Sequence, residues 1–137
     1  MSKRLLQIIV AVLALVPVGI GTIGLIDGPR FLRGVETVPV DLDSHFRYLS
    51  GIFLMLGITF WACMPSIERK TALFQMAGSL VIVGGLGRLL SLLQAGSPSP
   101  GHLIGLGLEL VVVPVLMMWQ AQLARAYRDS AEAAQSK

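Results

Sequence analysis

Four stretches of this 137-residue chain run for about 19–24 residues with at most one Asp, Glu, Lys or Arg each. They cover residues 5–26, 46–64, 72–95 and 102–124. A helix needs about 20 apolar residues to cross a hydrocarbon core of ~30 Å. Backbone inside lipid must satisfy its own hydrogen bonds, so each stretch is expected to be a helix. Composition agrees. Charged residues make up 14% of the chain, against about 25% in soluble domains, and the mean hydropathy is +0.74. The expected fold class is all-α: an antiparallel four-helix transmembrane bundle forming a single membrane domain, residues 1–137.

The pI of about 9.5 does not indicate a nucleic-acid partner. The basic residues form no single patch; they sit at segment ends, where membrane topology places them. The first stretch exceeds the 7–15 apolar residues of a cleaved leader and ends in no clear A-x-A site, so it reads as a retained span. Lys3, Arg4, Arg69, Lys70, Arg125, Arg128 and Lys137 fall on one side of the expected topology. Arg30 and Arg33 fall on the other, with Arg47 at its border. Basic residues favour the cytoplasmic side, which puts both termini there.

The three connections differ. Residues 27–44 make a long, net acidic external segment with enough apolar residues to pack as an ordered cap. Residues 65–71 form a short cytoplasmic turn and residues 96–101 a short external one. Ser99 before Pro100 fits a helix N-cap followed by a first-turn proline. Asp43 or Ser44 could cap the second helix. The polar, alanine-rich tail 125–137 is expected to extend the fourth helix into water.

An ionisable side chain inside a span needs a physical reason to be there. Arg88 and Glu109 lie well inside the third and fourth stretches. Reflecting Arg88 through a turn centred near Pro98 lands one residue from Glu109, so the two share a depth on the order of 10 Å below the helix ends. An ion pair is the simplest arrangement that tolerates both. Gly84, Gly85 and Ser91 near Arg88, and Gly105 near Glu109, would let the helices approach closely. With His45 and Arg47 at the start of the second helix and His102 at the start of the fourth, these residues define an expected external-side cluster: His45, Arg47, Arg88, His102 and Glu109. Two arginines and one glutamate could receive an anionic group through a guanidinium fork. Plainer readings stand beside this one. The pair can simply pin helix register, Arg47 can reach toward lipid phosphates, and the histidines can be solvated or capping.

Pro17 and Pro114 lie inside spans, where each removes a backbone hydrogen bond. A kink at Pro114 could open a cavity near Glu109, though a packing detail is the simpler account. Trp61 and Trp119 read as interfacial anchors. Cys63 reads as a small buried hydrophobe. No zinc-ligand spacing, phosphate loop, nucleophile elbow or dinucleotide fingerprint is present, so no cofactor or metal is expected.

Several short motifs recur in a recognisable order: His-Phe-Arg-Tyr-Leu-Ser-Gly at 45–51, Ile-Glu-Arg at 67–69, Gly-Gly-Leu-Gly-Arg-Leu-Leu-Ser at 84–91, Pro-Ser-Pro at 98–100 and Glu-Leu at 109–110. Over about positions 10–122 the chain resembles a bacterial family of small four-helix membrane proteins, domain of unknown function 4345. The resemblance implies a four-helix bundle in a bacterial inner membrane and carries the family pattern onto Arg47, Arg88 and Glu109. It implies no activity. Three functions therefore stay open: a binding or accessory protein for an anionic small molecule or lipid head group, a subunit of a proton-coupled transporter using Glu109, and a small membrane enzyme, an isomerase or a lipid- or quinone-directed catalyst. A homo-oligomer is compatible with each.

Overall fold

The structure is a computed structural model that describes residues 2–32, 34–35 and 37–135; Arg33 and Lys137, which enter the charge distribution, lie outside the described residues. The described residues are mostly helical, without strands. Four helical segments are long and apolar enough to cross a membrane: Lys3–Phe31, Val40–Ser66, Thr71–Ala95 and Pro100–Gln135. The chain divides into two compact units, one of residues 8–64 and the other of residues 1–7 with 65–137.

The leading segment consists of α1 (Lys3–Leu13), of which residues 8–13 fall in the first unit, then α2 (Leu15–Asp27) and a 3-10 turn, Gly28–Phe31. The interruption at Ala14 has a local cause. Pro17 carries no N–H for the carbonyl of Leu13, four residues earlier. Trp61 lies on α3 (Val40–Cys63) and donates its indole N–H to the Ala11 carbonyl, 3.1 Å away. Trp61 thus supports the backbone beside the interruption. Helices α2 and α3 run antiparallel, with Gly21 against Leu54, Gly24 against Ser50 and Gly57 against Val18. A Cβ at Gly21 would stand 2.6 Å from the Leu54 amide nitrogen, so only glycine permits this approach of the two backbones.

The second helix begins six residues earlier than its hydrophobicity suggests, at Val40 rather than Phe46. With the 3-10 turn ordered as well, the expected connection 27–44 shrinks to residues 32–39. Asp41 and Asp43 fall in the first helical turn, where carboxylates complement the positive end of the helix dipole. Asp43 also pairs with Arg47 at i,i+4. The N-cap position is Pro39 and no side chain caps it, so neither Asp43 nor Ser44 has the capping role the sequence offers them.

The second unit contains α4 (Thr71–Ala95), α5 (Pro100–Gly107), a single π-helical turn Leu108–Val112, and α6 (Val113–Gln135). Gly96 ends α4 with a positive φ of 95°, a conformation natural to glycine. Ser99 holds the N-cap position and Pro100 the first helical one, as expected. The Ser99 hydroxyl, however, bonds to the His102 ring nitrogen Nδ1 at 2.9 Å instead of to the backbone. Two close approaches set the antiparallel pairing of α4 with the α5–α6 segment: Gly78 against Met117, and Gly85 against Glu109 and Leu110. The final helix continues through the polar tail to Gln135. There Tyr127 accepts a hydrogen bond from Arg69 Nε at 2.9 Å and stacks under its guanidinium, 5.1 Å from the ring centre.

Candidate functional site

Arg88 and Glu109 meet. Arg88 Nε lies 3.0 Å from Glu109 Oε1. The contact depends on Gly85, one turn before Arg88 on α4. A Cβ there would stand 2.9 Å from Glu109 Cβ and 2.8 Å from Leu110 Cδ2, so any larger residue would drive the helices apart at the pair.

Glu109 is the second residue of the π-helical turn, and Pro114 accounts for that turn. Proline offers no N–H to the Leu110 carbonyl in α-helical register, and its ring would crowd that carbonyl. The chain widens instead: the Val113 amide donates to the Leu108 carbonyl, five residues back. The sequence pointed to Pro114 but favoured a packing detail there. The outcome is a local change of helical register at the one carboxylate in the apolar stretch 102–124.

The pair is incompletely satisfied. Glu109 Oε2 is buried and has no hydrogen-bond partner. Arg88 reaches Glu109 through Nε, and no described residue accepts from its two terminal nitrogens. The Arg88 side chain is 37% exposed and that of Glu109 13%. The site therefore holds a buried acceptor without a donor beside a partly exposed arginine. His102 sits two turns from Glu109 toward the start of α5, exposed and bonded to Ser99.

Arg47 has a different setting. Its Nε and Nη2 donate to the two carboxylate oxygens of Asp43, at 2.7 and 3.2 Å. Its Nη1 donates to the carbonyls of Leu25 and Ile26, at 2.7 and 2.6 Å. These carbonyls belong to the last turn of α2, where a cation also complements the helix dipole. Four of the five guanidinium donors are thus used inside the α2–α3 hairpin. The i,i+4 spacing of Asp43 and Arg47 was a readable signal for half of this arrangement; the backbone carbonyls carry none. His45 is exposed on α3.

Sequence reasoning also missed a second polar contact in the α4–α6 pair. Gln120 is fully buried. Its amide donates to the Ile67 carbonyl at 2.8 Å and to Thr71 Oγ1 at 3.0 Å, and accepts from Gln75 at 3.2 Å. Gln75 donates its other N–H to the Met117 carbonyl at 2.9 Å. Among the described residues, no group of three His, Cys, Asp or Glu side chains could hold a metal ion.

The family described as Domain of unknown function (DUF4345) matches residues 5–120. The chain belongs to this family. The DUF4345 region takes in Arg47, Arg88, Glu109 and Gln120 and stops before the polar, exposed end of α6. No curated protein and no solved structure matches the chain.

Proposed function

We propose that this DUF4345 protein is a small multi-pass membrane protein that binds an anionic group at Arg88, held in place by Glu109. The observation that carries the reading is the state of Arg88. Its position is fixed by the ion pair through Nε, while both terminal nitrogens lack partners among the described residues and the side chain remains partly open. A guanidinium inside an apolar span is costly to leave undersatisfied, and its terminal nitrogens form a fork matched to carboxylate or phosphate. Glu109 keeps the guanidinium oriented and neutralises its charge, so the terminal N–H donors rather than a net positive charge would hold the ligand. The sequence expectation grouped Arg47 and His45 with this site; the donors of Arg47 are mostly taken by Asp43 and two carbonyls, so the proposal rests on Arg88 and Glu109, with His102 nearer the helix end.

The resemblance to a bacterial family supports an inner-membrane location, and the Lys and Arg distribution supports cytoplasmic termini, an orientation with the turn between α4 and α5 outside the cell. A membrane-impermeant thiol reagent should label Ser97→Cys and spare Ala131→Cys in intact cells; the reverse pattern overturns this orientation. For the binding reading, native mass spectrometry of the protein extracted in mild detergent should show a bound anionic species. Arg88→Gln keeps a polar side chain without the charge and should reduce that occupancy at least about tenfold, the equivalent of one lost charge-assisted contact. Equal occupancy in the two proteins overturns the reading.

A further inference from the structure

Resting on the anion-binding reading of Arg88, we infer that the occupant is a membrane phospholipid, with its phosphate on the Arg88 fork and an acyl chain lying along α4. The surroundings of the pair carry this step. Residues four apart share a helix face. On α4, the stripe through Arg88 continues to Gly84, Leu80 and Met76. From the π-helical turn back along α5, Glu109 shares its stripe with Gly105 and Gly101. The two charged side chains touch, so these stripes lie on the same side of the hairpin.

That side is open around the pair. A Cβ at Gly84, Gly101 or Gly105 would meet nothing within 4 Å. Gly101 and Gly105 lie between the start of α5 and Glu109, and exposed Ser91 lies between Arg88 and the end of α4. Small residues therefore leave a path from the helix ends down to the ion pair. Arg88 is seven residues from the end of α4, about 10 Å, so a head group has to sink below the usual phosphate level to reach it. The path gives it room.

On the other side of Arg88, toward mid-membrane, the character changes. Leu80 is 58% exposed and Met76 67%. One stripe thus presents, in order of depth, a small polar entrance, an arginine with free donors, a glycine notch and an apolar track. That sequence of surfaces is complementary to an amphiphile, whereas a water-soluble anion would use only the first two.

The test uses the full chain in detergent and native mass spectrometry with three probes: dioleoylphosphatidylglycerol, dioleoylglycerol without a phosphate, and glycerol 3-phosphate without chains. The phospholipid should bind at least about tenfold more tightly than either fragment. Arg88→Gln should abolish that preference. Gly84→Leu should weaken phospholipid binding by a similar factor, because it fills the notch and leaves both charges of the pair in place. Gly87→Leu, an equal change at another open position off this stripe, should leave binding unchanged. If glycerol 3-phosphate binds as tightly as the phospholipid and depends on Arg88, the anion reading stands and the lipid inference falls. If none of the probes depends on Arg88, both fall. Equal binding of dioleoylglycerol, identical behaviour of Gly84→Leu and Gly87→Leu, or a dimer dissolved by Gly84→Leu each overturns the lipid inference.

Discussion

Two polar contacts join α4 to the helix that follows it, and they are built on opposite plans. Gln75 and Gln120 are uncharged, and Gln120 is fully buried. Every amide hydrogen of both side chains has an acceptor, and the Gln120 oxygen has its donor. Thirteen residues along α4, about 20 Å away, Arg88 and Glu109 are charged and keep one acceptor and two nitrogens without partners. A closed contact can only hold helices together. An open one holds them together and retains capacity for something else. In lipid, where unsatisfied polar groups have no water to turn to, that retained capacity distinguishes a candidate site from a structural lock.

The largest expected effect comes from opening the charged contact further. Glu109→Leu leaves Arg88 without its counter-charge inside the span. An unpaired arginine near the centre of a transmembrane helix costs about 3 kcal/mol on insertion scales. The partial exposure of Arg88 lets it bend toward the interface and lowers that figure. Thermal melts in detergent should show a clear loss of stability, and Arg88→Leu combined with Glu109→Leu should recover most of it, because no charge is then stranded. Wild-type stability in the single variant would show that the ion pair contributes nothing, and the contrast with the glutamine contact would collapse.

What could be read from sequence follows the same division. The four spans were legible because hydrophobicity over 20 residues is a property of composition. The pairing of Arg88 with Glu109 was legible because a short turn fixes depth by counting, and because lone charges in lipid need partners. The glutamine contact was not, since a buried glutamine carries no charge to betray it. The π-helical turn was half legible: Pro114 signals a missing hydrogen bond, but sequence does not say whether the backbone kinks, adds a residue to one turn, or recruits a side chain. At Pro17 the same chemistry was met differently, with an interruption at Ala14 and a bond from Trp61 to the Ala11 carbonyl. The early start of α3 was hidden because Val40–His45 is too polar to score as a span, while its acidic first turn and the Asp43–Arg47 pair favour helix all the same.

A smaller effect tests the closed contact. Gln120→Leu preserves bulk but strands one N–H of the Gln75 amide and removes the donors to Ile67 and Thr71. Hydrogen bonds of this kind contribute about 1–2 kcal/mol in membrane helices and protein interiors. The variant should lose that much stability while binding whatever Arg88 binds with unchanged affinity. If Gln120→Leu weakened Arg88-dependent binding as much as Arg88→Gln does, the two contacts would be one coupled system and the division between lock and site would fail.

The smallest effect belongs to a third contact, at the water boundary, where Lys3 Nζ lies 2.8 Å from Glu68 Oε2. Burial pushes the Glu68 carboxyl up, but the Lys3 ammonium, its own backbone N–H and Arg69 together hold it below the usual carboxylate range. A carboxylate with a depressed folded-state pKa contributes stability that is fully present above its unfolded value of about 4.3 and is lost as pH falls through the folded value. Glu68→Gln should therefore melt slightly below wild type at pH 7, by less than about 1 kcal/mol for a contact whose lysine is 40% exposed. The gap should close as the pH is lowered past 4. A gap that persisted unchanged in acid would mean that Glu68 acts through shape rather than charge, as Gln120 does. That result would move the ionic contact at the water boundary into the same class as the closed contact inside the span.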